Sequence, residues 1–230
     1  MKYWIPNAVT ALNLVLGMIS LGFTMQGDFV PAGFFIVAAM IADGLDGRVA
    51  RALGVSSEFG KELDSLCDLV SFGVAPALLA YQFALKEFGW IGFSVAIFFA
   101  LCGALRLARF NVQTTTVKGY FMGLPIPAGG CLVGTFVALG YKPSGWTFPI
   151  LIAIFAYLMV SSVHYPDFKG KGNEQIHAIP VILTAVMAGY ILWHSLEAIV
   201  FVIFFSYAFF GVLNFAYGLF GRQRITAAKQ

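Results

Sequence analysis

Residues 43–68 read DGLDGRVARALGVSSEFGKELDSLCD. Four aspartates, Asp43, Asp46, Asp64 and Asp68, fall inside this one window of a chain that is 60% apolar and 11% charged. The spacing groups them. Asp43, Asp46, Gly47, Ala50 and Arg51 recur at three- and four-residue intervals and share one face of a helix; Gly60, Asp64 and Asp68, each four apart, share one face of another. Two such helices joined by a short turn present four acids to one another. Carboxylates gathered in a low dielectric repel unless divalent cations neutralise them. Ligands that offer only oxygen suit a hard ion, Mg²⁺ or Mn²⁺, better than zinc, which would bring in His or Cys. Gly47, Ala50 and Gly60 leave space beside the acids for a flat or bulky ligand, and Arg51 adds a planar fork of donors suited to phosphate. The stretch reads as a metal-assisted phosphoryl-transfer site.

Outward from this window the composition sets the environment. With 24 Phe and a mean hydropathy of +0.84, the chain exceeds the roughly 45–50% apolar share of soluble domains. It reads as an all-α, polytopic membrane helix bundle. The apolar run from Phe29 to Ala42 covers only ~20 Å at ~1.5 Å per residue, short of a ~30 Å hydrocarbon core, so this helix must continue through the acids to finish crossing. Gly54 fits its C-terminal end, and Ser57 fits the N-cap of the next helix, with Glu58 in its first turn. Antiparallel packing of the two then pairs Asp43 with Asp68 at depth and Asp46 with Asp64 nearer the water.

The same reading places eight transmembrane helices at about 5–25, 29–53, 57–85, 88–110, 123–141, 147–165, 178–194 and 196–219. Together they form one integral membrane domain over 1–230, with a catalytic core of six helices at about 5–165 and additional helices at about 178–219. Residues 5–25 lack a small-x-small cleavage site and are expected to remain as the first helix. Trp4, Trp90, Trp146 and Trp193 each fall near an expected helix end, the pattern of an aromatic belt.

Counting basic residues orients the bundle. With the N-terminus inside, Lys2, Arg48, Arg51, Lys61, Arg106, Arg109, Lys118, Lys169, Lys171, Arg222, Arg224 and Lys229 lie inside, against Lys86 and Lys142 outside. The excess places the acids on the cytoplasmic side of a cell membrane. A net charge of +3, with arginines spread among helix ends, argues against a nucleic-acid partner. Cys67, Cys102 and Cys131 sit in apolar runs without metal-site spacing and read as packing residues. His164 and His177 border the longest polar stretch and are expected to be solvated. On the first helix, Asn7, Thr10 and Asn13 repeat at three-residue spacing, consistent with interhelical hydrogen bonding. Arg106 and Arg109, three apart and followed by Asn111, are explained by snorkelling at a helix end or, alternatively, by bidentate pairing with an anion. GLPIPAG (123–129) either lines a cavity or simply starts a helix.

The pattern Asp43-x-x-Asp46-Gly47-x-x-Ala50-Arg51, eight residues, then Gly60-x-x-x-Asp64-x-x-x-Asp68 resembles, without a departure, the signature of the CDP-alcohol phosphatidyltransferase family. PNAVTALNLVLG (6–17), SFGVAPA (71–77), GALRLARFNV (103–112), GLPIPAG and MVSSVHYPDFK (159–169) are similar to its phosphatidylserine synthase branch. The resemblance covers about the first three-quarters of the chain. It implies that the phosphatidyl group of CDP-diacylglycerol passes to the hydroxyl of L-serine in a single displacement, giving phosphatidylserine and CMP. It further implies two divalent ions on Asp43, Asp46, Asp64 and Asp68, with Asp68 as general base. Asn7, Thr10, Asp46, Gly47, Ala50, Arg51 and Gly60 would contact the CDP group. Arg106, Arg109 and Asn111 would receive the acceptor carboxylate or a lipid phosphate, and the chain would form a homodimer.

Other acceptors (glycerol 3-phosphate, an inositol phosphate) or an archaeal ether-lipid donor would use the same chemistry. A cation or proton transporter also keeps intramembrane acids. Transporters often show repeated halves, whereas here all four acids sit in one window.

Overall fold

The apolar run that begins at Phe29 stays helical past Asp43 and Asp46 and ends at Leu53, as the thickness of a bilayer requires. Gly54 closes it at a left-handed φ of 63°, with its N–H on the carbonyls of Ala50 and Arg51. Three residues later the Ser57 side chain accepts from the Gly60 N–H at 3.0 Å and starts the next helix. The tight connection therefore has a chemical cause at each end, and it turns the two acid-bearing faces towards each other.

These details come from a computed structural model, which describes residues 4–55, 57–113, 120–166 and 177–227. Helices α1 (Trp4–Gln26), α2 (Phe29–Leu53) and α3 (Glu58–Asp68) come first. A π-helical segment, Leu69–Val74, joins α3 to α4 (Ala75–Phe83) so that one rod runs from Glu58 to Phe83. A 3₁₀ turn leads into α5 (Gly89–Gln113). Strand β1 (Tyr120–Met122), α6 (Ile126–Ala138), α7 (Thr147–Val160), β2 (His164–Pro166), α8 (Ala178–His194) and α9 (Ile199–Ala227) complete the order.

Five rods, Trp4–Gln26, Phe29–Leu53, Glu58–Phe83, Leu85–Val112 and Leu196–Gly218, are long and apolar enough to cross a membrane. The helices Ile126–Ala138, Thr147–Val160 and Ala178–His194 are apolar but shorter. The protein is thus an all-α, multi-pass membrane bundle, and its eight rods among the described residues correspond to the eight expected helices. Two of them are trimmed. The helices expected at 123–141 and 147–165 occupy 126–138 and 147–160: the chain before the first and after the second forms an antiparallel ribbon with Phe121 opposite Tyr165, and Gly140 turns at φ 70° after the first. Gly123 turns at φ 78°, and Pro125, with ψ 138°, stands outside the helix as its N-cap, so helix starts at Ile126. The GLPIPAG stretch is thus a helix start.

Small residues set the helix contacts. A side chain at Gly33 would collide with the Gly134 carbonyl, so α2 and α6 meet backbone to backbone. The core between the rods is filled by Phe72, Phe99, Leu124, Phe148 and Met159. Cys67, Cys102 and Cys131 are free and buried, and Cys102 and Cys131 pack within this core.

At the end of the bundle away from the acids, Lys142 Nζ meets Glu87 at 3.6 Å. His164 and His177, expected to be solvated, are half-buried instead. The His164 ring lies 5.6 Å from that of Phe215, and the His177 ring 4.9 Å from that of Tyr217. The physical reason is the last helix: α9 covers both and accepts the His177 N–H on Asn214 Oδ1 at 3.1 Å. Lys2, Lys118, Lys169, Lys171 and Lys229 of the orientation count, and residues 167–176 of the polar stretch, lie outside the described residues.

Candidate active site

Asp43 and Asp46 come from the inner half of α2, and Asp64 and Asp68 from α3, the two helices joined by the Gly54 and Ser57 caps. One carboxylate oxygen each from Asp43, Asp64 and Asp68 lie within 4.8 Å of one another. Three anions so close conflict strongly, and a cation among them removes the conflict. With oxygen as the only donor, the triad fits a hard divalent ion.

Asp46 stands beside this triad. Its Oδ2 accepts from the Thr10 hydroxyl at 2.6 Å, and that bond from α1 directs it into a neighbouring cavity lined jointly with Asp64. The expected pairs, Asp43 with Asp68 and Asp46 with Asp64, are therefore arranged as a triad with a fourth acid on its flank.

That neighbouring cavity, about 150 Å³, is lined by Pro6, Asn7, Thr10, Asp46, Gly47, Ala50, Val55, Ser57, Gly60, Lys61 and Asp64. Six of the seven residues expected around CDP thus line one space. Arg51, the seventh, is exposed beside it, with its guanidinium 3.4 Å from where a side chain at Gly47 would begin. A methyl group at Gly60 would approach Ser57 Oγ to 3.1 Å and Asn7 Oδ1 to 3.2 Å, so this glycine keeps the space open. Of the polar face of α1, Asn7 and Thr10 line the cavity, while Asn13 donates from Nδ2 to Asp68 Oδ1 at 2.9 Å.

A second cavity, about 500 Å³, opens on the other side of the acids. Glu58, Lys61, Glu62, Asp64, Ser65 and Asp68 of α3 line it, opposite Arg106, Leu107, Phe110 and Asn111 of α5. Asp64 and Lys61 border both cavities. Arg106 is only 7% exposed, and its guanidinium lies 5.1 Å from the centre of the Phe110 ring, one helical turn on. Asp68 is close enough to act on it electrostatically. Asn111 donates to Ser65 Oγ at 2.9 Å and ties the rim of α5 to α3.

Arg109 is not brought to this cavity. Its guanidinium donates to the backbone carbonyls of Met122 at 2.7 Å, Val160 at 3.0 Å, Ser161 at 3.3 Å and Met159 at 3.4 Å. Those carbonyls belong to β1 and to the end of α7, which stop pairing in regular structure there. A three-residue spacing marks Arg106 and Arg109 as neighbours on a helix, but it does not reveal that one of them serves loose carbonyls. Glu62 and Phe110 carry no expectation from the sequence, and Glu58 only that of a first-turn acid. Spacing was the available signal, since Phe110 follows Arg106 by four and Glu62 follows Glu58 by four.

The acids of the signature thus stand together inside a helix bundle, with a cavity on either side. The family model for CDP-alcohol phosphatidyltransferases matches residues 3–205, and the chain belongs to this family. Among its relatives, the CDP-diacylglycerol–serine O-phosphatidyltransferase of Helicobacter pylori is 43% identical over 193 residues, 80% of this chain and 81% of that protein. The enzyme of the same name from Bacillus subtilis is 38% identical over 180 residues, 76% of this chain and 97% of the relative. The archaetidylserine synthase of Methanothermobacter thermautotrophicus is 39% identical over 170 residues, 73% of this chain and 72% of the relative.

Proposed function

We propose that the chain transfers the phosphatidyl group of CDP-diacylglycerol to the hydroxyl of L-serine, releasing CMP. The observation that carries this reading is the second cavity, where Asp68 and Arg106 face one space from opposite helices. A base and a carboxylate receptor so arranged suit an acceptor that bears a hydroxyl and a carboxylate. Glycerol 3-phosphate or an inositol phosphate would call for a denser cationic wall, whereas Glu58 and Glu62 stand beside Arg106 and Lys61 here.

In this reading the nucleotide occupies the cavity bounded by Asn7, Thr10, Gly47, Ala50 and Gly60, with Arg51 at its edge. Asp43, Asp46, Asp64 and Asp68 would hold two divalent ions, Mg²⁺ or Mn²⁺, which neutralise charge on the diphosphate when bound. Arg106 receives the serine carboxylate in bidentate fashion and turns the hydroxyl towards Asp68. Asp68 accepts the hydroxyl proton as the serine oxygen bonds to the lipid-side phosphorus, and the bond from that phosphorus to the bridging oxygen breaks with CMP as leaving group.

A direct displacement fits the neighbouring hydroxyls, which are engaged elsewhere. Ser57 caps α3, Ser65 binds Asn111 and the Lys61 carbonyl, and Ser71 donates to the Asn13 carbonyl. The site is proposed to face the cytoplasm, with Arg48, Arg51, Lys61 and Arg106 at its end of the bundle. A homodimer is proposed from the family resemblance.

The test is CMP release by purified protein supplied with CDP-diacylglycerol, Mn²⁺ and one alcohol at a time. Serine is expected to support release and to yield phosphatidylserine. Release with glycerol 3-phosphate or an inositol phosphate, and none with serine, would overturn the assignment.

A further inference from the structure

Asn13 lies one turn along α1 from Thr10 and is completely buried. Its side chain makes one hydrogen bond, from Nδ2 to Asp68 Oδ1 at 2.9 Å, while its own Oδ1 has no partner among the described residues. A buried amide oxygen without a donor is a net cost, and a leucine of similar shape would pack at the same place without it. Packing therefore gives no reason for an amide here. The bond to Asp68 does.

The backbone of the same residue holds the chain on which Asp68 ends. The Asn13 carbonyl accepts from Ser71 Oγ at 3.0 Å, and Ser71 lies in the π-helical segment directly after Asp68. That segment is also clasped by glycines. Any side chain at position 17 would collide with Ser71, and one at 130 would press on Phe72 at 2.8 Å. A π-helical turn replaces the usual hydrogen-bond ladder and needs such outside support. The turn is thus fixed by its neighbours, and the carboxylate in front of it is fixed by Asn13.

We propose that Asn13 is a positioning residue for Asp68: its amide occupies one carboxylate oxygen and so commits the other to the cation and the acceptor hydroxyl. This rests on the reading of Asp68 as the proton acceptor given above. Asn13 itself lines neither cavity. Hydrogen-bond partners of metal-binding side chains commonly change metal affinity or activity by about 10–100-fold when removed, and that range is expected here.

The experiment is a double-mutant cycle on the full chain in detergent, with Asn13→Leu, Asp68→Asn and the two combined. Two quantities are read: turnover with CDP-diacylglycerol, serine and Mn²⁺, and Mn²⁺ affinity by direct titration. Asn13→Leu is expected to lower kcat about 10–100-fold with the KM for CDP-diacylglycerol unchanged, and to weaken Mn²⁺ binding. In the Asp68→Asn background it should add nothing to the loss of Mn²⁺ affinity, because the group it orients is already altered. Wild-type kcat in Asn13→Leu, or additive losses of Mn²⁺ affinity, would overturn the proposal. If Asn13→Leu fails to fold, Asn13→Ser, which keeps the backbone carbonyl for Ser71 but cannot reach Asp68, is expected to show the same loss, and wild-type turnover in it would be equally fatal. A wrong acceptor assignment appears already in the wild-type protein as no release with serine. The Mn²⁺ titrations still decide the role of Asn13 in that case.

Discussion

The two cavities beside the acids are built on different principles. The smaller, about 150 Å³, is a slot between α1, α2 and α3 in which Gly47, Ala50 and Gly60 leave the space, with Asp46, Lys61 and Asp64 also on its walls. The larger, about 500 Å³, is a polar space between α3 and α5, with charges of both signs on its walls. A slot selects by shape, because a single added methyl group changes what enters. A mixed-charge space selects by pairing particular charges, and its walls tolerate variation elsewhere. On the assignment proposed above, the donor would be held by shape in the first and the acceptor chosen by charge in the second.

Asp64 borders both cavities and belongs to the triad, so it should be the residue whose loss spares neither. Asp64→Asn keeps the shape and removes a charge. CMP release at saturating substrates should fall by about three orders of magnitude, the several kcal/mol that charge neutralisation of a phosphoryl group contributes. A loss confined to one substrate's KM would mean that the cavities are separate sites and not two halves of one.

The two arginines of α5 test the larger cavity. Arg106→Gln should raise the KM for serine about 10–100-fold, the equivalent of losing a charge-assisted hydrogen bond worth about 1.5–3 kcal/mol, and should leave the KM for CDP-diacylglycerol in place. Arg109→Gln should do the opposite. It strips up to four carbonyls of their donor, so the thermal midpoint should drop by the equivalent of about 1–3 kcal/mol while the KM for serine stays at its wild-type value. A serine KM that rises in Arg109→Gln as steeply as in Arg106→Gln would bring Arg109 back into the acceptor site.

This contrast also marks how far the sequence could be read. The acids, Gly54, Ser57 and the slot residues were legible because each depends on local spacing or on a cap, and helical geometry converts both into position directly. The fate of Arg109 depends on three carbonyls 50–52 residues away at the end of α7 and on that of Met122 in a ribbon whose two short strands carry no alternation long enough to be noticed. The triad differs from the expected pairs for a similar reason. Asp46 follows Thr10, a partner on another helix, and spacing within α2 cannot report it. The half-burial of His164 and His177 likewise comes from α9, whose rings reach both from the far end of the chain.

The slot has its own probe. Gly60→Ala adds a methyl group 3.1 Å from Ser57 Oγ and 3.2 Å from Asn7 Oδ1, at the mouth of the smaller cavity. Helix propensity favours the alanine by up to about 1 kcal/mol, so the fold should not suffer. The KM for CDP-diacylglycerol should rise several-fold, on the order of the 1–3 kcal/mol that one methylene decides in a close-fitting pocket, and the KM for serine should not move. If both KM values rise together, the slot and the larger space are coupled through α3 more tightly than their separate walls suggest.

The smallest effect concerns the ribbon behind the larger cavity. Tyr165 of β2 is fully buried, its ring lies 5.4 Å from that of Tyr207 on α9, and a side chain at Gly211 would run into it. Its hydroxyl has no hydrogen-bond partner among the described residues. A buried hydroxyl in that state has given up water without replacement, so Tyr165→Phe should raise stability by about 1 kcal/mol, visible as a higher thermal midpoint in detergent. Neither KM should change, because Tyr165 lines neither cavity. The ribbon would then be a scaffold that seats α9 and supplies the Met122 carbonyl to Arg109. A rise in the KM for serine with no gain in stability would instead mean that the hydroxyl meets the acceptor when the cavity is filled, and the wall of the larger space would extend to the last helix.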